Sequence, residues 1–453
     1  MNLSFNSDFT IKGEFWRPEA PENIVNGRIE YGSDNEIKLI LYGQFSGSLD
    51  EVSIINGTKN GGQDLTLINN LVKNAQGGLE KFTEVTYSCE YIFYGNLYER
   101  EEDIKFDIIS FSYTNLDEWF NHDCFNYDGI LTDDWRVSIS HLPSKEIEIQ
   151  SEKFTLETSS SFKLGTSLGT HVEIDFSTFW ILKSDQKLSI AYLVDCIKLI
   201  QNFLTLCVDT ACSTQFINAQ SLEEDRGSIQ IVRSRSFDND YQKKMHHDMV
   251  ITYQDIEDRI DLVLNNLFDL KNSFESIVNL FTANYYKSDT YQEIRFLNLT
   301  QAFEAYFRLT KDTLYISKDR YEELTDKLMS CYPSESNHAL KQKINSTIKY
   351  ANEYSLRKKL KVFIGSFESK TLEYFGIEAS TFVDTTVSNR NYYTHYDKDL
   401  KEDALKGVEL LKREIKLKYL LLIYLFKDLG CSEELVLNGI KESGHASFFI
   451  QKA

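Results

Sequence analysis

The first part of the chain, to about residue 180, alternates apolar and polar positions with the two-residue period of β-strands. These short runs are rich in aromatic and β-branched residues, and Gly, Asn, Asp or Pro separates them. The predicted strands are Ile11–Trp16, Ile24–Tyr31, Ile37–Phe45, Glu90–Tyr94, Phe106–Tyr113, Trp135–Ile139, Glu146–Gln150 and His171–Phe176. Two pairs of glycines, Gly61-Gly62 and Gly77-Gly78, mark turns between strands. The pattern predicts a β-rich layer folded as a sandwich or a barrel.

Beyond residue 180 the apolar positions adopt the spacing of α-helices. Leu188–Leu206 predicts a helix of about five turns, and Ser228–Ser234 predicts a return to a strand of the β-rich part. From Asp255 onward helical spacing dominates. The predicted helices are Asp255–Phe281, Tyr291–Leu309, Arg320–Cys331, Asn337–Tyr350 and Asp403–Leu429.

The chain is too long for one ordinary hydrophobic core, since single cores stop growing at about 250–300 residues. We therefore predict an α+β protein of more than one domain. Residues 1–235 form a β-rich domain with one inserted helix near 188–206, and residues 255–430 form an all-α bundle. The boundary is expected near 235–255, and residues 431–453 are predicted to be a C-terminal tail.

The net charge of −20 argues against a protein that coats nucleic acid along its length, because such binding is driven by Lys and Arg. Charge is nevertheless uneven. The segment 341–370 holds eight Lys and Arg against two Glu. It is either a solvated helix face or a patch that follows phosphates, and Lys358 and Lys359 are its candidate RNA contacts.

The seven cysteines are scattered, and no two have CxxC spacing. We expect reduced, mostly buried thiols, no metal site and no cofactor. The first residues show neither a basic nor an apolar region of a signal peptide. The longest apolar run, Tyr419–Phe426, is too short for a bilayer that needs about 20 residues. These features favour a cytoplasmic protein without membrane contact.

The candidate chemistry lies in the segment Val387–Asp397, which brings Arg390, Asn391 and His395 within six residues, ahead of a long helix. Cleavage of RNA without metal needs a base for the ribose 2′-hydroxyl, a cation for the phosphate and an acid for the leaving oxygen. Histidine can serve as base or acid near neutral pH, and arginine grips phosphate through two donors. The segment therefore places an amide, a guanidinium and a titratable imidazole close together in the sequence.

Spacing limits how Arg390 and His395 can cooperate. Residues five apart on an ideal helix point about 140° from each other, whereas Asn391 and His395, four apart, share a face. The motif should therefore lie at a helix end or a kink, or the site should be assembled from two subunits.

The pattern Arg390-Asn391, three residues, His395, followed by Tyr396-Asp397 and a long helix, resembles the signature of the HEPN superfamily of ribonucleases. The stretch Asn389–Asp397 resembles its ApeA-like branch in particular. The N-terminus agrees, because Gly13–Glu19, Val25–Tyr31 and Ile37–Gly43 are similar to the opening of the ApeA N-terminal domain.

The resemblance implies a metal-independent endoribonuclease of abortive anti-phage defence, with tRNA anticodon loops or other structured RNA as substrate. Arg390 and His395 match the catalytic pair of the family, and Asn391 matches the polar position beside the arginine. The expected partners are RNA, a second copy of the chain in a homodimer or higher oligomer, and a trigger derived from the phage.

Four further residues are candidates with an ordinary structural alternative. Glu304 is either a carboxylate that orients the site or a helix-surface charge. Tyr392, Tyr393 and Tyr396 either stack on unpaired bases or form part of the bundle core.

Two other functions remain open at this stage. HEPN folds can bind nucleotides or proteins without cutting RNA, which would make the chain a non-catalytic module of a sensor or a toxin–antitoxin-like complex. The β-rich part could also sense a phage protein and relieve autoinhibition, and this is compatible with nuclease activity.

Overall fold

The computed structural model describes residues 7–32, 34–46, 51–77, 82–128, 136–167, 171–220, 227–234, 242–287, 289–331 and 337–444. The chain divides into two compact units. The first unit comprises Met1–Asp269 and Tyr285–Lys287, and the second comprises Leu270–Asn284 and Ser288–Ala453. The first is β-rich and the second is helical, which confirms the predicted fold class.

The first unit is built from strands that the alternating pattern only partly revealed. The strands are β1 Phe9–Arg17, β2 Ala20–Tyr31, β3 Ile37–Leu41, β4 Val52–Lys59, β5 Gln63–Gly77, β6 Phe82–Tyr94, β7 Lys105–Tyr113, β8 Phe125–Asp128, β9 Arg136–Ile139, β10 Glu146–Ile149, β11 Phe154–Ser167, β12 His171–Ser189, β13 Thr214–Gln220 and β14 Ile229–Arg233. All predicted strands have a counterpart here. β4, β5, β8, β11 and β13 were not predicted.

Six of these strands close into a barrel in the order β6-β3-β2-β1-β4-β5, because β5 pairs with β6. The burial of β1 alternates along the strand, with Ile11 and Phe15 inside. Small residues allow the strands to approach closely: a Cβ on Gly13 would lie 2.3 Å from the Thr58 carbonyl oxygen. Side chains fill the interior, so the barrel is a packed core.

The sheet continues past the barrel from β6 through β14, β13, β7, β12, β11 and β10, while β8 and β9 form a separate hairpin. A short helix, α1 (Leu116–Phe120), and the predicted long helix, α2 (Ile190–Val208), pack against this extension. α2 begins where Ser189 accepts a hydrogen bond from the Tyr192 amide. The Tyr113 hydroxyl donates to the Ile197 carbonyl at 2.6 Å and holds α2 on β7.

α2 is the one helix of the described ranges that is long and apolar enough to cross a membrane. Of its most apolar 18 residues, 72% are buried inside the protein. Burial of this kind is what a core helix shows, so the length and hydropathy of α2 are accounted for by packing.

Two further helices belong to the first unit: α3 (Tyr253–Ile256) and α4 (Ile260–Asp269). The rings of Tyr253 and Trp119 lie 5.5 Å apart, and those of Phe268 and Phe154 lie 5.2 Å apart. Because these aromatic side chains are part of the first core, the division between units falls after residue 269 and not at the 235–255 that helical spacing suggested. Periodicity shows where helices start, but not which core they join.

The second unit contains the remaining helices. They are α5 Lys271–Tyr286, whose last residues belong to the first unit, α6 Gln292–Thr310, α7 Lys318–Ser330, α8 His338–Ile348, α9 Leu356–Ile364, α10 Ser369–Tyr374, α11 Ala379–His395, α12 Val408–Asp428 and α13 Glu433–Glu442. The predicted single helix over 255–281 is in fact α3, a 3-10 turn, α4 and most of α5. α9 and α10 were too short, and α11 too polar, for their periodicity to stand out.

The prediction of a C-terminal tail from residue 431 is wrong for its first part, since α13 is a packed helix. Val436, Leu437 and Ile440 are buried. The buried carboxylate of Glu433 accepts hydrogen bonds from the Glu368 amide at 2.9 Å, the Thr371 hydroxyl at 2.6 Å and the Lys427 ammonium at 2.8 Å. The three buried apolar side chains and the contacts of Glu433 together hold this ten-residue helix, because short helices depend on tertiary packing.

We predict that Glu433→Gln lowers the free energy of unfolding at pH 7 by about 1–2 kcal/mol. Burial acts to raise the pKa of Glu433, but the hydrogen bonds from Lys427, Thr371 and Glu368 outweigh it and hold that pKa below 4.5. The stabilisation is therefore present above about pH 4.5 and is lost as the pH falls through the lowered pKa.

Urea unfolding of both proteins between pH 7 and pH 4 measures this difference. The matched control is Glu434→Gln, which neutralises the next, exposed carboxylate and should change stability little. An equal effect of the two substitutions at pH 7 would contradict the role given to Glu433.

Candidate functional site

The predicted motif occupies the last two turns of α11, and His395 is the final helical residue. The next residue, Tyr396, has a φ of 51°, in the left-handed region, and its amide donates to the Tyr392 carbonyl at 2.6 Å. This is a common way for a helix to end. The structure thus places the motif at a helix end, one of the arrangements that the spacing predicted.

α11 begins at a capping carboxylate and buries one polar-lined face. Glu378 accepts hydrogen bonds from the Ser380 and Thr381 amides. The hydrogen bond with the Thr381 hydroxyl, followed by those from the two amides, lowers the pKa of Glu378 to about 2. The buried residues of the helix are Phe382, Val383, Thr386, Asn389 and Tyr393. Because the sequence supplies few large apolar residues here, hydrogen bonds do much of the positioning.

Arg390 is held in place by Glu304 from the neighbouring helix α6. The Nη2 and Nε atoms of Arg390 lie 2.8 Å and 3.0 Å from Oε1 of Glu304, and both side chains are half-buried. The Nη1 atom donates to Oδ1 of Asn391 at 3.3 Å. The structure shows the Glu304 carboxylate in contact with Arg390, and its role as an orienting group stays a prediction.

Asn389 and Tyr393 anchor the loop that follows α11. Oδ1 of Asn389 accepts from the Leu405 amide at 2.7 Å, and its Nδ2 donates to the Thr385 carbonyl at 2.8 Å. The Tyr393 hydroxyl donates to the Leu405 carbonyl. Asn389 was not among the residues predicted for the site. Its position four residues before Tyr393, on the same helix face, is the sequence signal that points to it.

The three tyrosines of the motif have different environments. Tyr393 is buried, and the centre of its ring lies 6.4 Å from the centre of the Phe296 ring. It is therefore a core residue and not a base-stacking one. Burial also raises the pKa of Tyr393. Tyr392 is half-buried, Tyr396 is 67% exposed, and their rings lie 5.6 Å apart. Only these two present aromatic surface to a ligand.

His395 is exposed at the end of the helix. Its ring makes no hydrogen bond and no ion pair with any residue that the structure describes. Five residues along one α-helix separate it from Arg390, so the two side chains leave the helix about 140° apart. Asn391, four residues before His395, shares its face. One copy of α11 does not direct the guanidinium and the imidazole to the same side.

The basic segment 341–370 is not one continuous surface. Lys358 is exposed and lies 5.6 Å from the centre of the Tyr354 ring. Lys359 is only 3% exposed, and burial, with a smaller effect of Arg308, lowers its pKa. The prediction that Lys359 contacts RNA from the surface is therefore contradicted, because it lies on the inner face of α9.

All seven cysteines are free and six are buried, as their spacing predicted. Burial raises the pKa of Cys212 to about 12, so its thiol stays protonated. Within the described ranges no three His, Cys, Asp or Glu side chains are grouped as metal ligands.

Comparison with known families gives two matches. The family described as ApeA N-terminal domain 1 matches residues 10–267, more than half of the chain, and Apea-like HEPN matches residues 297–435. The first match ends close to the division between the units, and the second contains Glu304, Arg390, Asn391 and His395. No curated protein and no solved structure matches the chain.

We predict that Asn389→Ala lowers the free energy of unfolding by roughly 1–3 kcal/mol, because the Leu405 amide loses its acceptor. Hydrogen exchange of residues 396–407 should become faster. The control Ser388→Ala alters the neighbouring half-buried hydroxyl and should leave the loop unchanged. Unaltered exchange in Asn389→Ala would show that the loop is held by other contacts.

Proposed function

This chain belongs to the ApeA-like HEPN family, and on that premise we propose that it is a metal-independent endoribonuclease of anti-phage defence. HEPN domains are generally ribonucleases. The observation that carries the proposal is the pair of Arg390, oriented by Glu304, and His395, exposed at the end of the same helix.

In the proposed reaction Arg390 binds the scissile phosphate. A guanidinium offers several hydrogen-bond donors in one plane. The Nε and Nη2 atoms of Arg390 both donate to the same oxygen of Glu304, Oε1. A carboxylate that fixes the guanidinium reduces the entropy lost when phosphate binds. The positive charge then stabilises the negative charge that builds up on the phosphate oxygens in the transition state.

His395 performs proton transfer in this scheme. A base takes the proton of the ribose 2′-hydroxyl, and the 2′-oxygen attacks phosphorus. The bond from phosphorus to the 5′-oxygen breaks, and an acid protonates that oxygen. The products are a 2′,3′-cyclic phosphate and a 5′-hydroxyl. Imidazole is the side chain best suited to either step near neutral pH, and an exposed one can reach a bound RNA.

We further propose that two copies assemble the site. The angle between Arg390 and His395 on one helix favours a guanidinium from one copy and an imidazole from the other. The end of the bundle that carries His395 also exposes large apolar side chains. Tyr291 is 78% exposed and Val408 is 65% exposed. They lie at the starts of α6 and α12, which are joined by a hydrogen bond of 3.0 Å from the Gln292 side chain to the Gly407 carbonyl. Contact with a second copy would cover them.

The proposed substrates are tRNA or other structured RNA with unpaired bases. Tyr392 and Tyr396 form an exposed aromatic pair beside His395, and stacking of a base on such a ring is worth ~1–3 kcal/mol. Lys358 supplies an exposed cation. In this proposal the β-rich first unit responds to a trigger derived from the phage.

A second candidate is a non-catalytic HEPN module that binds a nucleotide or a protein. One observation favours it: within one copy, Glu304 already neutralises Arg390, and His395 points elsewhere. The two candidates differ in whether loss of the imidazole abolishes a chemical step.

We expect the wild-type protein, incubated with total tRNA in EDTA, to release fragments that end in 2′,3′-cyclic phosphate. Arg390→Ala and His395→Ala should each lower the cleavage rate by about 100-fold or more. The matched control is His338→Ala, which removes another exposed imidazole from the same unit and should cleave like wild type. Equal cleavage by His395→Ala and wild type would favour the non-catalytic candidate.

Mixing the two inactive variants tests the shared site. If each site takes its arginine from one copy and its histidine from the other, mixed dimers of Arg390→Ala and His395→Ala contain one intact site. Equal mixing should then restore about a quarter of wild-type activity. No recovery, despite exchange of subunits, would place both groups in one copy.

A further inference from the structure

Two short segments of the second unit, one after α6 and one before α9, pair with each other and carry two tyrosines. Leu314 and Glu353 form an antiparallel bridge. Successive residues of extended backbone point to opposite faces, so Tyr315 and Tyr354 lie together on the face away from Leu314 and Glu353. Their ring centres are 4.9 Å apart, edge to face at 61°. Tyr354 is half-buried, whereas Tyr315 is 53% exposed.

The backbone under the two rings is fixed by the buried side chain of Asn352. Its Oδ1 accepts from the Ile316 amide at 3.0 Å, and its Nδ2 donates to the Ile316 carbonyl at 2.8 Å. The Tyr315 amide donates to the Asn352 carbonyl at 2.9 Å, and the Tyr354 amide donates to the Thr313 carbonyl at 2.7 Å. A ring held on such a support loses little entropy when a ligand stacks on it.

Lysines lie over the tyrosines of this region. The exposed Lys358 places its Nζ 5.6 Å from the centre of the Tyr354 ring. The combination recurs one turn earlier in the chain, where the Glu353 amide donates to the Tyr350 carbonyl at 3.1 Å. There the Nζ of Lys349 lies 5.8 Å from the centre of the Tyr350 ring, which is 56% exposed. Neither lysine forms an ion pair with a residue that the structure describes.

The nearby carboxylates do not offset these two lysines directly. Glu353 pairs with Arg308 at 3.1 Å, and Asp384 pairs with Arg357. Asp312 is exposed and accepts a hydrogen bond from a backbone amide of its own loop at 3.2 Å. Two of the three acidic side chains are thus neutralised by an arginine, and an anionic ligand can still meet the lysines.

The ion pair of Arg357 and Asp384 relates this region to the candidate site, because it ties the start of α9 to α11. Asp384, Asn391 and His395 lie on one stripe of α11, since seven and eleven residues are close to whole numbers of turns. Asp384 and His395 are exposed and Asn391 is half-buried. The stripe runs about 10 Å from Asp384 to Asn391 and about 16 Å to His395. Lys358 directly follows Arg357 at the far end of it.

We infer that Tyr315, Tyr354 and Lys358 form a further RNA-binding subsite, which stacks unpaired bases of the strand that extends from His395 along this stripe. It rests on the proposed function, since the ligand is the RNA to be cut. Every base offers a π-face to an aromatic ring, and a neighbouring cation binds the phosphate backbone. Packing accounts for the half-buried Tyr354 but makes no use of the outward half of Tyr315 or of the Lys358 charge.

A single-stranded RNA and a duplex RNA of the same length separate stacking from general attraction. Binding is measured in the His395→Ala background, so that the RNA stays intact. We expect Tyr315→Leu to weaken binding of the single strand about fivefold or more and to leave the duplex unaffected, because paired bases are not free to stack. Tyr315→Phe keeps the ring and should bind both RNAs like its parent.

The lysine is tested by the salt dependence of single-strand binding. Lys358→Gln should reduce the slope of log affinity against log salt by about 0.7, the effect of one lost phosphate contact. The matched control is Lys441→Gln on α13, whose ammonium lies 5.4 Å from the centre of the Tyr374 ring elsewhere in the second unit. It should leave affinity and slope unchanged, and an unchanged slope in Lys358→Gln would remove this lysine from the subsite.

Thermal unfolding of the same variants separates this role from a structural one. Leucine keeps an apolar side chain against Tyr354, so Tyr315→Leu should unfold close to the parent midpoint. Equal loss of single-strand and duplex binding, with a lowered midpoint, would show that Tyr315 supports the fold, and the inference would fail. It would also fail if Tyr315→Phe lost as much single-strand binding as Tyr315→Leu.

The outcomes also distinguish this inference from the proposed function. If wild type cleaves RNA but Tyr315→Leu binds the single strand with unchanged affinity, the subsite is wrong and the nuclease stands. If wild type does not cleave RNA but Tyr315→Leu still binds the single strand selectively more weakly, the subsite stands and the nuclease is wrong. If wild type binds no RNA, both fail, and the surface is left to a protein partner.

Discussion

The ion pair between Arg390 and Glu304 is the contact on which the candidate site depends. It joins α11 to α6 across 86 residues of sequence and turns a flexible arginine into an oriented one. Both side chains are half-buried, where an isolated charge would be costly and a pair with good geometry is tolerated. A guanidinium held in this way keeps donors for a ligand, while its own conformation is already set.

The rest of α11 supports this contact through hydrogen bonds more than through apolar packing. Asn389 and Tyr393 bind the backbone of Leu405, and Arg413 binds the backbone of Phe382 from α12. The helix is therefore held firmly up to its last turn. The imidazole of His395 follows directly, at the point where the chain leaves the helix and becomes exposed. Because α11 ends at His395, about one turn after Arg390, the arginine is held within the helix and the histidine is exposed at its end.

Charge is organised locally in this protein. The whole chain carries −20, yet Lys412, Arg413 and Lys416 lie on one side of α12 with Glu409 as their acidic neighbour, and Arg390 is paired with Glu304. Such a surface repels nucleic acid in general and offers phosphate only a few defined contacts. On the proposed function, such an acidic chain would act on RNA without binding it indiscriminately.

What the sequence determined by itself is local. Alternation and helical spacing predicted nine of the fourteen described strands and the helices α2, α6, α7, α8 and α12. A six-residue motif made Arg390, Asn391 and His395 the candidate site residues. Such patterns can be recognised in the sequence because residues that are close along the chain specify them. Tertiary structure alone decided the closure of the barrel by β5 and β6, the packing of α13 through Glu433, the burial of Lys359 and the contact of Glu304 with Arg390. Each of these joins residues far apart in the chain, and no local period records which distant partner a side chain will meet.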